Sequence, residues 1–139
     1  MGVASKRFAV ATKGDTEIID ITNRVATALR ESGLSEGTLT VFVPGSTAGL
    51  TTLEYEPGLV QDLQRAFEHL AARNQAYSHD ARWGDGNGHS HVRASMLGPS
   101  LSVPFSKGEM LLGTWQQIVL LDFDNRPRNR ELIVQLIGE

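Results

Sequence analysis

Between Ser78 and His91 the chain stops supplying core residues and concentrates groups that hold protons and metals: His79, Asp80, Asp85, His89 and His91, with Trp83 and Asn87, around Gly84, Gly86 and Gly88. Imidazole and carboxylate together are the donor set of zinc and related divalent ions. Three of the chain's four histidines fall here, so His79, His89 and His91 are the candidate metal ligands. The spacing matches no established zinc signature, and a solvated Gly-rich, His-rich loop has the same composition. Secondary structure decides which ligands are available. On a strand His89 and His91 share a face; on a helix they diverge and only one of them joins His79. His69, next to Leu70 in an apolar-periodic segment, reads as a partly exposed helix residue.

A second polar stretch, Gly45-Ser46-Thr47-Ala48, follows a strand pattern directly. Its hydroxyls and backbone amides suit an anion, although the lysine of a P-loop is missing and a plain turn has the same residues. Glu54, near the end of the next β segment, offers a carboxylate for general-base or ligand work, or a solvated charge. There is no Gly-x-Ser-x-Gly elbow and no Asp-rich pair of the kind that holds magnesium on a diphosphate.

The elements that must position these groups are read from periodicity. Phe8 and Val10 alternate before Gly14-Asp15, and Ile19 and Ile21 after it, which predicts a β-hairpin. Thr22 is placed to cap a short helix with Val25, Ala26 and Leu29 on its apolar face, ending at Gly33. Strands are expected over 39–43 and 50–55. Pro57 then starts a helix in which Leu59, Val60, Leu63, Phe67 and Leu70 repeat along one face. Asn87 caps a helix from Gly88 to Leu97, stopped by Gly98-Pro99. The last third reads as an antiparallel meander: 101–105, a Lys107-Gly108 turn, a long strand over 110–123, and 132–137. That long strand is apolar on both faces, which requires two covers; self-association through the sheet is the expectation.

Composition bounds the rest. The chain has 139 residues, 16 acidic and 13 basic, for a formal charge of -3, and no block of like charge. No nucleic-acid partner is expected. Arg126, Arg128 and Arg130 flank Pro127 in a turn, where solvated charge is the ordinary reading and phosphate binding the alternative. The absence of cysteine removes thiolate metal sites and cysteine nucleophiles. No apolar run approaches the roughly 18 residues of a membrane span, and no signal-peptide pattern opens the chain, so a cytoplasmic protein without membrane contact is expected. A single α+β domain over 1–139 is expected, largely antiparallel sheet with two to three helices.

Three motifs carry a resemblance. Gly113-Thr114-Trp115-Gln116-Gln117-Ile118, with Leu97-Gly98-Pro99-Ser100 before it and Asp122-Phe123-Asp124 after it, resembles the signature of the secondary thiamine-phosphate synthase family, the YjbQ type. The stretches 45–54 and 86–95 resemble its other two motifs. The resemblance implies a YjbQ-like homotrimer with polar residues gathered near the subunit boundary and a metal or anion held there. On its motifs fall His79, Asp85 and His91, with Glu54 at the family's glutamate and Gln116 in its Thr-Trp-Gln element. It implies Glu54, Asp85 and Gln116 as catalytic, and His79, His89 and His91 as ligands of a divalent metal, zinc or magnesium. Ser46, Thr47, Asn87 and Arg93 would bind the substrate, a small phosphorylated metabolite. Many relatives carry a histidine where this chain has Gly45. The implied reaction joins hydroxymethylpyrimidine diphosphate to thiazole phosphate. A zinc-type hydrolase and a non-catalytic anion- or metal-binding trimer remain open beside it.

Overall fold

The computed structural model describes residues 1–139. Two antiparallel sheets carry the chain. Strands β1 (Gly2–Thr12), β3 (Gly37–Phe42), β5 (Ser100–Ser106), β6 (Glu109–Met110) and β8 (Arg128–Gly138) form a five-stranded sheet in the order β1-β8-β3-β5-β6. Strands β2 (Glu17–Asp20), β4 (Ala48–Leu53) and β7 (Gln117–Asp122) form a three-stranded sheet in the order β2-β7-β4. Four helices accompany them: α1 (Thr22–Ser32), α2 (Pro57–Leu70), α3 (Ser78–Trp83) and α4 (Gly88–Leu97). The α+β, largely antiparallel expectation is met, with one helix more than expected.

The layers follow from which side chains meet. Leu39, Val41, Val103, Leu132, Val134 and Leu136 from the large sheet pack with Leu50, Ile118 and Leu120 from the small one, and Val25, Ala28 and Leu29 of α1 join them in one cluster of 17 buried residues. On the other face of the small sheet Ile18, Val119, Leu121 and Phe123 meet Phe67 of α2 and Ala94 of α4. The rings of Phe67 and Phe123 meet edge to face at 4.8 Å. The small sheet is therefore a middle layer, and Ile118 through Leu121 are wholly buried. This corrects the argument for self-association drawn from β7: both of its faces are covered from within the chain.

Other expectations are corrected too. β1 and β2 do not form a hairpin. Asp15 and Thr16 take positive φ (54° and 63°), and their amides donate to Asp124 O and Asp122 O at 2.7 and 2.8 Å. These bonds hand the chain to β7 in the second sheet, while β1 pairs with β8 from Gly2↔Gly138 to Thr12↔Arg128. The meander fails for the same reason, since β7 and β8 lie in different sheets. The long strand over 110–123 breaks after Met110, where a Gly113–Gln116 turn intervenes and leaves Trp115 73% exposed. Thr22 does not cap α1 through its side chain; Ile21 is the capping residue, and the Thr22 hydroxyl donates to Asp20 and accepts from the Ile118 N–H.

The local helix signals fare better. Gly33 closes α1 in the left-handed conformation. Pro57 opens α2 after Glu56, whose carboxylate accepts from the Gly58 and Leu59 amides at 2.7 and 2.8 Å; those two bonds hold the Glu56 carboxyl below its ordinary pKa. Of its expected apolar face only Phe67 is buried, and Leu70 is largely exposed. α4 has the expected bounds, with Asn87 before it and Gly98 after it, but the Asn87 side chain does not cap it and donates to Asp124 instead.

Candidate metal centre on helices α3 and α4

A six-residue helix inside the polar stretch was not foreseen, and it places the histidines. α3 presents His79 and Asp80, ends at a left-handed Gly84, and passes into a turn carrying Asp85. The Asn125 side chain anchors that turn by donating to Asp85 O at 2.9 Å. α4 then returns across α3. The approach is close enough that a Cβ at Gly88 would stand 2.6 Å from the Tyr77 Cβ. It allows the Gly88 N–H to donate to Asp80 Oδ1 at 2.8 Å, so Asp80 caps the incoming helix.

His79, Asp80 and Asp85 gather here with their donor atoms within 4.8 Å of one another. His79 Nδ1 stands 3.6 Å from an oxygen of each carboxylate, too far for a hydrogen bond, and this buried nitrogen has no hydrogen-bond partner. The His91 ring lies against the His79 ring, centroids 4.4 Å apart. Two positions before His91, His89 turns the opposite way. It is 2% exposed, its ring 6.4 Å from that of Tyr77. Burial, then the charges of Arg93 and Arg73, hold its pKa below the ordinary 6.5, so the imidazole is neutral. The helix thus divides the two histidines, and the structure brings His79, Asp85 and His91 together with Asp80 while leaving His89 apart.

The other site residues expected from the sequence fall elsewhere. Arg93 is 5% exposed. Four of its five guanidinium N–H groups are engaged, two on Ala71 O, one on Thr16 Oγ1 at 2.8 Å and one on Glu68 Oε2 at 2.5 Å. It ties α4 to the end of α2, and its burial and its pairing with Glu68 set it apart from an open phosphate site. Thr47 and Asn87 belong to a buried ionic network that the sequence reading missed. Asp122 and Asp124 are wholly buried. Arg130 donates to both oxygens of Asp122 at 2.8 and 2.9 Å and to Thr47 Oγ1 at 2.7 Å. Thr12 donates to Asp122 at 2.6 Å. Asp124 accepts from Arg128 at 2.7 Å, Thr47 at 3.2 Å and Asn87 at 3.4 Å. Burial alone would raise the Asp124 carboxyl; hydrogen bonds from Arg128, the Asn125 amide and Asn87 outweigh it and hold it low. Solvated charge therefore describes only Arg126 of the basic turn, since Arg128 and Arg130 are ion-paired. A usable sequence signal was the Asp122-x-Asp124 repeat at the end of an apolar strand, where buried carboxylates demand cations.

Glu54 is exposed just past β4, outside the cluster around His79. Gln116 bridges the Gly113 N–H at 3.0 Å and Thr52 Oγ1 at 3.1 Å. It lines a cavity of about 340 Å³ between β4 and β5, walled by leucines, serines and threonines with no charged side chain. Ser46 lines a smaller pocket of about 180 Å³ with Ser95. Gly45 has φ 120° and a Cβ there would lie 3.0 Å from Arg130 Nη1, so this backbone suits glycine.

With this geometry in view, comparison places the chain. Residues 6–139 match the family described as UPF0047 protein YjbQ-like, and the protein belongs to that family. It is 37% identical over 139 residues to a UPF0047 protein of Methanothermobacter thermautotrophicus, covering 100% of this chain and 95% of the relative. It is 33% identical to YugU of Bacillus subtilis, covering 96% and 98%. Among solved structures, a Clostridium acetobutylicum protein of the yjbq/upf0047 family superposes with TM-score 0.87 at 35% identity, covering 95% of this chain and 99% of that one. A Sulfolobus solfataricus P2 protein described as YbjQ-like and of unknown function gives 0.89 at 28% identity, covering 99% and 100%. No helix of the chain is long and apolar enough to cross a membrane.

Proposed function

We propose that the protein is a divalent-metal-dependent enzyme acting on a small phosphorylated metabolite, with the ion held by His79, Asp80 and Asp85 and His91 beside it. One observation carries this: His79 Nδ1 is buried without a partner, 3.6 Å from each of two carboxylate oxygens. Two ligands of one tetrahedral ion at metal–ligand distances of about 2.0–2.2 Å stand roughly 3.3–3.6 Å apart. The spacing is thus long for hydrogen bonds and right for shared ligation, and the mixed nitrogen and oxygen donors fit zinc or a related ion. When bound, such an ion supplies positive charge and Lewis acidity to an anionic substrate. Arg93, Arg128 and Arg130 are already bonded to protein groups, so the ion would supply charge that these three side chains do not. The half-buried His91 ring is placed to exchange a proton with a ligand at the centre.

The specific reaction favoured by the family resemblance is thiamine-phosphate synthesis. Purified protein supplied with both thiamine precursors, with magnesium or zinc, is expected to form thiamine phosphate, and the activity should fall on His79→Ala. No product above background removes that reaction. The donor set around His79 favours a second reading, a zinc-type hydrolase, which would release phosphate from a substrate panel without needing the thiazole partner. The large apolar side chains left exposed, including Val3, Leu111, Trp115 and Ile137, favour self-association; the family resemblance makes that a homotrimer, for which light scattering at a mass of one or two chains is the refuting result.

A further inference from the structure

Strand β5 is paired along the whole of one edge and along only part of the other. On the β3 side the Val43 N–H donates to Pro99 O at 2.9 Å, and by the two-residue period of a strand Leu101, Val103 and Phe105 also turn their backbone groups to β3. Ser100, Ser102 and Pro104 therefore turn theirs the opposite way. There β6 pairs only with Phe105 and Ser106, and the Leu111 N–H takes Pro104 O at 2.9 Å. The chain then leaves this edge for the Gly113–Gln116 turn, so the N–H and C=O groups of Ser100 and Ser102 have no strand partner.

The uncharged cavity of about 340 Å³ lies along this open edge. Its far wall is a second open edge. Leu50 gives its N–H to Gly98 O and not to β7, so Thr52, two residues on, also turns its backbone away from β7, and β4 has no strand neighbour on that side. The Leu50–Gly98 bond joins the two walls at one end of the slot, and Leu112 and Gln116 stand at the other. Along β5 the side chains of Ser100, Ser102 and Pro104 are exposed, while Val103 and Phe105 are buried. A strand added to this edge shares that alternation, because directly opposed residues of an antiparallel pair point to the same face.

We infer that the open edge of β5 binds an extended, uncharged peptide segment antiparallel to it, with hydroxyl side chains toward solvent and aliphatic ones turned to Leu50, Leu97 and Val103. The segment continues the line that β6 begins and abandons. Main-chain hydrogen bonds to Ser100 and Ser102 hold it, and the leucine-lined wall selects its side chains. A charged residue on the inward side is rejected, since no lining side chain bears a charge to meet it. Neither His79 nor an ion takes part, so the inference goes beyond the metal reading and stands or falls without it.

The probe is the blocked peptide acetyl-Ser-Val-Thr-Val-Ser-amide, titrated into the protein by calorimetry and by amide NMR. Saturable binding is expected, with the Ser100 and Ser102 amide signals shifting together. In the inferred register the central threonine faces Ser102, and its N–H points to β5, whereas each valine N–H points away. N-methylation of that threonine should weaken binding about three- to tenfold, the loss of one hydrogen bond, and N-methylation of a valine should weaken it less. Lysine in place of both valines should abolish it. Ser102→Pro removes an N–H that β3 does not use, so the fold should persist while peptide affinity falls at least about tenfold, a hydrogen bond lost and a ring standing in the slot. No saturable binding at millimolar peptide, equal effects of the two N-methylations, or an affinity unchanged by Ser102→Pro overturns the inference. Should Ser102→Pro fail to fold, the N-methylated peptides decide on the parent protein. Light scattering separates the remaining occupant: a parent that binds no peptide and dissociates on Ser102→Pro assigns the edge to a second copy of the chain and overturns the inference.

Discussion

Arg130→Met tests whether the buried ionic network braces the fold beneath the candidate site. Arg130 is 8% exposed and Asp122 wholly buried, and three guanidinium hydrogen bonds of 2.7–2.9 Å join Arg130 to Asp122 and Thr47. Methionine keeps the stem volume and removes the charge. Asp122 then retains Thr12 and the Asp124 amide as donors but no cation at bonding distance. Breaking a buried pair by removing one partner costs about 3–5 kcal/mol, because a charge is left unpaired in a poorly solvated place. For a chain of this size that corresponds to a melting temperature about 10–20 °C lower. Urea denaturation is the assay. The companion variant Asp122→Asn removes the stranded charge, so the double variant should be more stable than the sum of the single changes by about 1–3 kcal/mol. An Arg130→Met protein within about 1 kcal/mol of the parent, or strictly additive variants, would show that Asp122 is relieved by water or a proton and that the network does not brace the strands.

Four further outcomes are expected. His79→Ala and Asp85→Asn should each weaken zinc binding by at least about tenfold in calorimetry, since even outer-shell changes reach that size, while His89→Leu leaves it unchanged. Asp124 has a folded pKa below its ordinary 3.8, so its contribution to stability is complete above that value and is lost as pH falls through the folded pKa; acid titration of Asp124→Asn should lack that part of the slope. His89 has a folded pKa below 6.5, so stability is complete above 6.5 and declines as pH falls below it, and His89→Gln should flatten that decline in circular dichroism melts. Gly45→Ala should cost about 1–3 kcal/mol in urea, the cost of a non-glycine residue held at φ 120°.

What the sequence disclosed, and what it withheld, divides by the distance over which each determinant acts. α2 is specified within a turn of chain: Glu56 caps it, Pro57 presets its first φ, and Val60, Leu63 and Phe67 mark the face turned to the sheet. α4 ends as locally at Gly98, but its start is capped by Asp80 of α3 and not by the Asn87 side chain. Strand pairing has no such local mark. The segment over 8–21 alternates as a hairpin would, yet its halves pair with β8 and β7, and the deciding bonds come from Asp122 O and Asp124 O more than a hundred residues away. The two apolar faces of β7 were visible, but whether helices, the other sheet or another chain cover them depends on partners that its own residues do not name.

The candidate site obeys the same rule at finer grain. Helix geometry alone separates His89 from His91, so once α4 was assigned only one of them could join His79. Which one was not legible, because that depends on the direction from which α3 is crossed, set by Gly88 against Tyr77 and by the Asp80 cap. Asp80 is the instructive case. In sequence it is another acidic residue beside a histidine, whereas in the fold one oxygen both caps α4 and faces the unpartnered His79 nitrogen. An ion taken by His79 and Asp80 would therefore act on the residue that holds the start of α4, and α4 in turn carries His91. In the proposed centre capping and ligation would share an atom, which would link ion binding to the seating of α4 through Asp80. Asp80→Asn, which keeps an oxygen for the Gly88 amide, should lose zinc affinity while retaining the helix, whereas Asp80→Ala should lose both. Equal effects of the two substitutions on far-ultraviolet ellipticity and on zinc affinity would break that linkage.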